Sequence, residues 1–192
     1  MKNQTLLSLA FLLITFQIAD AQTEKFKPMN YPYFETSVSI GLLPTFVKDI
    51  SRSEVPPIGL RVEYRINERF SAGFFGGFTQ AMSTPDLLRD GKPMTFNTKF
   101  SMIGGRFAVH STKFERWDVY GGLGMNYTHT NIEVMDGDIE KLKKHKRFDP
   151  CRGGIMMSAF IGTKYALNPS FSILGEVGYG ISLLNLGVSK RF

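Results

Sequence analysis

The sequence predicts an all-β fold, an eight-stranded antiparallel up-and-down transmembrane β-barrel. Three observations predict it: polar and apolar residues alternate in eight segments, the polar face is rich in glycine, and aromatic residues gather near the segment ends. Of the 192 residues, 43% are hydrophobic and only 21% are charged, a composition that excludes a disordered chain. The single cysteine excludes a disulfide within the chain.

The N-terminus has the three parts of a secretory signal peptide. Lys2 supplies the positive charge, an apolar run extends from Leu6 to Ile18, and Ala19 and Ala21 have the spacing that signal peptidase requires. We therefore expect a signal peptide at 1–21, a short N-terminal segment at 22–32 and a barrel at 33–192. The apolar run is shorter than the ~18 to 20 residues of a spanning helix, which excludes a polytopic helical membrane protein.

Alternation with a period of two defines the strands, because successive strand residues point to opposite faces. It is clearest between Ile58 and Asn67, where apolar residues occupy one face and Arg61, Glu63 and Arg65 occupy the other. The eight predicted strands are Phe34–Leu42, Ile58–Asn67, Phe70–Thr79, Met102–His110, Trp117–Thr128, Ile155–Tyr165, Phe171–Tyr179 and Leu184–Phe192. Each has about 9 to 12 residues, enough to cross a bilayer at a tilt.

Each strand has its own apolar face. In chain order these faces include Phe34 with Val38 and Ile40, Leu60 with Val62, Phe74 with Phe78, Ile103 with Phe107, Leu123 with Met125, Met157 with Ile161, Ile173 with Val177, and Leu186 with Val188. The links at 67–68, 111–116 and 168–169 are short and turn-rich, and the link near 180–182 is tight. Residues 43–57, 81–98 and 130–153 are predicted to be long polar loops. Short turns at one end are typical of outer-membrane barrels, where they face the periplasm.

Period two alone does not say which face lies inside. A soluble barrel buries its apolar face, whereas a membrane barrel turns that face to lipid. Glycine on the polar face suits a narrow lumen; the glycines are Gly59, Gly73, Gly77, Gly104, Gly122, Gly124, Gly162, Gly178 and Gly187. Aromatic residues near strand ends, such as Tyr64, Trp117 and Tyr165, suit interfacial girdles. We therefore predict that the apolar face meets lipid.

The predicted lumen is charged. Its candidate polar network is Glu35, Arg61, Glu63, Arg65, Arg106, Lys164, Glu176 and Arg191. These groups should pair because unpaired charges are expensive to bury, and Glu176 is expected to accept from Arg106 or Lys164. The structural interpretation is a polar plug. The alternative is a narrow pore for ions or small solutes, lined by Arg61, Arg65, Arg106, Glu63 and Glu176.

Several segments resemble the small outer-membrane β-barrel proteins of the OmpA-type and "porin family" group of Gram-negative bacteria. They are residues 64–70 (YRINERF), 117–124 (WDVYGGLG), 175–180 (GEVGYG) and 186–192 (LGVSKRF). The resemblance implies an outer-membrane location and makes Phe192 the C-terminal signal that the barrel-assembly machinery reads. Lys190 departs from the family, which usually has an aromatic residue there, and we expect its side chain to reach the interface. None of these segments is catalytic.

No catalytic, cofactor or metal site is predicted. His110, His129 and His145 lack metal-ligand spacing. Some barrels of this kind are lipid A deacylases or acyltransferases, which resemble serine hydrolases. Here His129 faces outward, but its next outward neighbour is Asn131 rather than a serine. Cys151 is interpreted as an incidental free thiol, so we do not expect an enzyme.

The densest charge cluster lies in the third long link. Lys141, Lys143, Lys144, Lys146 and Arg147 could contact lipopolysaccharide phosphates; the alternative is a merely solvated loop. Export makes nucleic acid an improbable partner, and outer-membrane lipid is the expected one. We predict a monomer with a structural or interaction role, in envelope integrity, adhesion or surface contacts. The alternatives are the narrow pore and a secreted soluble β-barrel that binds a small apolar ligand.

Overall fold

Eight antiparallel strands close into a barrel, as predicted. The computed structural model describes residues 30–45, 51–84, 95–111, 116–136 and 151–192. The strands are β1 (Tyr33–Gly41), β2 (Ser51–Arg65), β3 (Phe70–Ser83), β4 (Thr95–His110), β5 (Trp117–Asp136), β6 (Cys151–Ala166), β7 (Phe171–Gly178) and β8 (Leu184–Arg191). Each strand pairs with the next in sequence, and β1 pairs with β8. Among the described residues, no helix is long and apolar enough to cross a membrane.

Five strands extend further than the alternation predicted. The loop predictions were wrong over 51–57, 81–83, 95–98, 130–136 and 151–153, which are strand. In β4 and β5 these extensions reverse the pattern: Phe96 and Val134 are paired on the inner face, whereas Asn97 and Glu133 are paired on the outer face. Because Phe96 and Val134 lie on the inner face, the alternation that identified the middle of each strand does not continue through these extensions.

The beginning of β2 was not predicted, because it contains two prolines. Pro56 and Pro57 lie inside the strand, and the β2–β3 register shifts between Ser53 and Val55 and again between Val55 and Ile58. Because proline donates no backbone hydrogen bond, it is tolerated in a sheet at such irregular positions. From sequence alone, Pro56-Pro57 indicated a loop.

The apolar face points outward and the charged face points inward. Leu60, Val62 and Leu123 are exposed on the outer wall, whereas Arg61 and Glu63 are buried inside. This distribution contradicts the alternative of a soluble barrel, which required an inward apolar face.

Inward glycines allow the wall to curve tightly around its contents. A Cβ built on Gly122 would collide with the backbone oxygen of Phe107, and a Cβ on Gly104 would collide with that of Met125. The close approach of β4 and β5 therefore requires residues without a side chain at these two positions.

One end of the barrel, which we call the turn end, has short asparagine turns. The Asn67 side chain accepts hydrogen bonds from the amides of Arg69 and Phe70, both at 2.9 Å. Asn168 does the same for Ser170 at 2.9 Å and Phe171 at 2.7 Å. Such side-chain bonds fix tight turns.

The opposite end, the loop end, has an apolar cap inside the lumen. The β7–β8 link folds inward, so that Ile181 is buried against Phe100 and Met102, with Phe75 and Met156 packed around them. Ser182 Oγ anchors the link, accepting from the Leu43 amide at 3.1 Å and donating to the Leu43 carbonyl at 2.8 Å. The sequence predicted a tight link here but not its insertion into the barrel.

Candidate functional site in the barrel interior

The barrel brings the eight charged residues of the predicted lumen together. Their exposed fractions lie between 1% and 9%, because all of them occupy inward positions of the alternating strands. The residues are Glu35, Arg61, Glu63, Arg65, Arg106, Lys164, Glu176 and Arg191.

Glu176 is the acceptor at the centre of the network. Its Oε2 lies 2.7 Å from Arg61 Nη1 and 2.8 Å from Arg106 Nη2, and the Tyr120 hydroxyl donates to the same oxygen at 3.0 Å. The expected Arg106–Glu176 pair is therefore present. The expected alternative partner, Lys164, binds elsewhere.

Lys164 and Arg106 connect Glu176 to the other two glutamates. Lys164 Nζ lies 2.5 Å from Glu35 Oε1 and 3.1 Å from Glu63 Oε2, and Arg106 Nε lies 2.8 Å from Glu63 Oε1. The Arg106 guanidinium also stacks 3.7 Å above the Phe160 ring. The result is one continuous network from β1 to β7, and each charge in it has an opposite charge in contact.

A second polar cluster closes the turn end. Ser71 Oγ lies 2.8 Å from His110 Nε2, and His110 Nδ1 lies 2.9 Å from Asp118 Oδ1. Arg65 Nη1 lies 2.8 Å from Asp118 Oδ2 and also contacts His110 Nδ1. Arg65 additionally donates to the carbonyl of Glu68 at 2.8 Å.

The connectivity of Ser71, His110 and Asp118 is that of a catalytic triad, but the serine is buried and the aspartate is paired with Arg65. Only 1% of Ser71 is exposed, so its hydroxyl is shielded from a substrate. Arg65 already neutralises Asp118, which weakens the support that a triad carboxylate gives to an imidazolium. The cluster ties β2, β3, β4 and β5 together.

His110 and Asp118 were absent from the predicted network. Both occupy inward positions, His110 at the end of β4 and Asp118 near the start of β5. The alternation in the sequence therefore places both side chains on the inner face. Their contact with Arg65 could not be predicted, because it depends on how β2 and β5 face each other across the lumen, and these strands are not adjacent in the sheet.

A small cavity lies beside the charge network. Among the described residues, the interior holds a cavity of about 30 Å³ that Arg106, Glu176, Asn126 and Ser158 help to line. That volume accommodates roughly two water molecules. The apolar cap lies on its loop-end side and includes Ile181.

The other predicted site residues lie outside this network or outside the described chain. Lys141, Lys143, Lys144, Lys146 and Arg147 fall outside the described residues. Cys151 is exposed, with its Sγ 3.7 Å from His129 Nε2. In the described ranges, no group of three His, Cys, Asp or Glu side chains is placed to hold a metal ion.

The C-terminal residues lie at the turn end. The Phe192 amide donates to the Phe34 carbonyl at 2.9 Å, which joins the last residue to β1. Lys190 points outward, with its Nζ 4.9 Å from the centre of the Phe192 ring. The ammonium is thus accommodated beside an aromatic ring.

Solved structures share this architecture. OprG of Pseudomonas aeruginosa is 13% identical with a TM-score of 0.59, over 88% of this chain and 99% of that one. Neisserial surface protein A is 12% identical with a TM-score of 0.53, over 84% and 97%. The fold is that of the small outer-membrane β-barrels. Ail of Yersinia pestis has a TM-score of 0.45 at 14% identity, over 84% of this chain and 97% of that one. No protein-family model and no curated protein sequence matches the chain.

Proposed function

We propose that the protein spans the outer membrane as a monomeric barrel whose turn end faces the periplasm. The exposed apolar wall supports this proposal, because residues such as Phe74, Ile103 and Ile155 are mostly exposed and belong in lipid rather than water. Trp117 and Tyr165 pack together at the turn end with their ring centres 4.8 Å apart, as expected of an interfacial girdle.

The proposed role is structural or interactive, in envelope integrity, adhesion or surface contacts, and it involves no catalysis. The observation that carries it is the filled lumen: paired charges occupy the middle and the Ile181 cap closes the loop-end half. Eight-stranded barrels have interiors just wide enough for side chains, whereas wide channels need about 16 strands.

Planar-bilayer recording of the refolded mature protein tests this role. We expect no reproducible unitary conductance, because the ion pairs and the cap obstruct the path. Reproducible conductance that Arg106→Gln abolishes would make the protein a narrow pore instead. Fractionation with a heat-dependent gel shift tests the location, and recovery of folded protein in the soluble fraction would contradict it.

The long links at the loop end are the proposed contact surface. Lys141, Lys143, Lys144, Lys146 and Arg147 would bind lipopolysaccharide phosphates through charge, and Phe192 would present the chain to the barrel-assembly machinery. Replacing the five cations with glutamine should weaken binding to lipopolysaccharide micelles, whereas Lys113→Gln in a turn-end link should not. Equal binding by both variants would show that the five cations do not contribute to lipopolysaccharide binding and that the loop is merely solvated.

A further inference from the structure

A socket interrupts the lipid-facing wall at Gly105. Gly105 occupies an outward position of β4, and its cross-strand partners are Phe74 on β3 and Met125 on β5. The socket is a shallow depression that is wide open on its outer side, with Gly105 as its floor and Phe74, Phe107, Leu123, Met125 and Met157 as its rim. The rim residues stand 46% to 72% exposed, so they project beyond the floor.

The wall does not require glycine at this position. The nearest heavy atom to a Cβ built on Gly105 is 3.9 Å away, whereas a Cβ on neighbouring Gly104 would collide with the Met125 backbone. Gly104 is thus explained by packing between strands, and Gly105 is not. An unfilled apolar socket forfeits dispersion contacts along its whole lining, so in a membrane an apolar group will occupy it.

Polar side chains lie on the same two strands toward the loop end. Ser101 and Lys99 follow on the outward face of β4, and the Ser101 hydroxyl donates to the His129 carbonyl of β5 at 3.5 Å. Lys99 Nζ lies 2.8 Å from Glu133, and both side chains are about 40% exposed (39% and 42%). These groups form a polar patch that consists of Ser101, Lys99, His129 and Glu133.

The spacing between the socket and the polar patch matches one leaflet. Lys99 lies six positions from Gly105 in β4, about 20 Å at ~3.4 Å per residue. With a strand tilt of about 40°, this is about 15 Å along the membrane normal, half of the ~30 Å hydrocarbon core. A lipid that reaches the polar patch with its head therefore reaches the socket with its chain.

We propose that this part of the wall is a binding site for one lipid of the loop-end leaflet. One acyl chain fills the socket over Gly105, and the polar head hydrogen-bonds to Ser101, Lys99 and His129. The occupant is a membrane lipid because the socket is continuous with the lipid-facing wall and has its polar groups on one side only. This inference rests on the proposed membrane location and adds a specific site to it.

Filling the socket tests the proposal. Gly105→Leu places an apolar side chain in this space, and its Cβ would lie 3.9 Å from the nearest heavy atom. Gly175→Leu is the matched control, because Gly175 faces outward on β7 and a Cβ built there would lie 3.6 Å from its nearest neighbour. The measurement is native mass spectrometry of protein extracted from phosphatidylglycerol vesicles. We expect one retained lipid for the wild type and Gly175→Leu, and at least tenfold less for Gly105→Leu. Equal retention by all three would overturn the site.

A fluorescence measurement keeps the test independent of extraction. Phe107→Trp in a Trp117→Phe background reports on the rim, and Val177→Trp in the same background is the control. With increasing mole fractions of chain-brominated phosphatidylglycerol in phosphatidylcholine vesicles, quenching at position 107 should saturate at a lower fraction than at 177. Identical curves would refute the site. Failure of the membrane proposal would differ, because neither tryptophan would then be quenched.

Discussion

At the centre of the lumen, the Glu176 carboxylate contacts the guanidinium groups of Arg61 and Arg106 and accepts a hydrogen bond from the Tyr120 phenol. The cavity beside it has a volume of about 30 Å³, enough for roughly two water molecules. Removing its charge would leave Arg61 and Arg106 buried with too few partners, which is far costlier than losing a pair at the surface.

The first prediction follows from this difference. Glu176→Gln should reduce the free energy of unfolding by about 3 kcal/mol or more, because it breaks a buried pair. Lys99→Gln is the control, since it breaks the half-exposed pair with Glu133 and should cost less than about 1 kcal/mol. Urea unfolding in detergent micelles measures both. Equal effects would show that the lumen is solvated.

The second prediction concerns Ser71 and His110. Because Ser71 is buried and Arg65 neutralises Asp118, we expect no covalent labelling of Ser71 by a fluorophosphonate probe. Intact-mass measurement checks this, with Ser71→Ala as the reference. A mass increase in the wild type that the alanine variant lacks would show a reactive nucleophile and an enzymatic function.

At the scale of the element, the alternation identified every strand but not its length. β2 could be recognised from Ile58 onward because one face meets lipid and the other meets charge. Its first seven residues could not, because the double proline indicates a loop and neither face is consistently apolar. The candidate site could likewise be predicted only in part. The alternation placed the side chains of Arg61 and Glu63 inside the barrel, but which groups they contact depends on how the strands face each other across the lumen.

The third prediction separates the two kinds of strand glycine. Gly122→Ala should destabilise the barrel by about 1 to 3 kcal/mol, as overpacking does, because the added methyl group meets the backbone of Phe107. Gly76→Ala should have little effect, since the nearest atom to its Cβ position is 3.9 Å away. The gel-shift temperature of each variant measures this difference, and similar temperatures would contradict it.

At the scale of the whole molecule, the position of the wall in lipid can be measured. Trp117 is the single tryptophan of the chain and lies half-exposed on the outer wall at the turn end, 49% of its surface being accessible. It therefore serves as a natural depth marker for the proposed interfacial girdle.

The fourth prediction uses this marker. Lipids brominated near the head should quench Trp117 more than lipids brominated near the chain end, because the girdle lies about 15 Å from the midplane of a ~30 Å core. Vesicles that contain each brominated lipid in turn provide the comparison. Stronger quenching by the chain-end label would place Trp117 near the middle of the bilayer and contradict the interfacial girdle.

The seam between β1 and β8 closes the barrel with the last strand of the chain. The first strand bonds to the last, and the Phe192 amide completes the pairing at the Phe34 carbonyl. Until the final strand arrives, the growing sheet has two unsatisfied borders, which lipid cannot solvate. We therefore expect a chain truncated before residue 184 to remain an open sheet that is prone to pair with its neighbours.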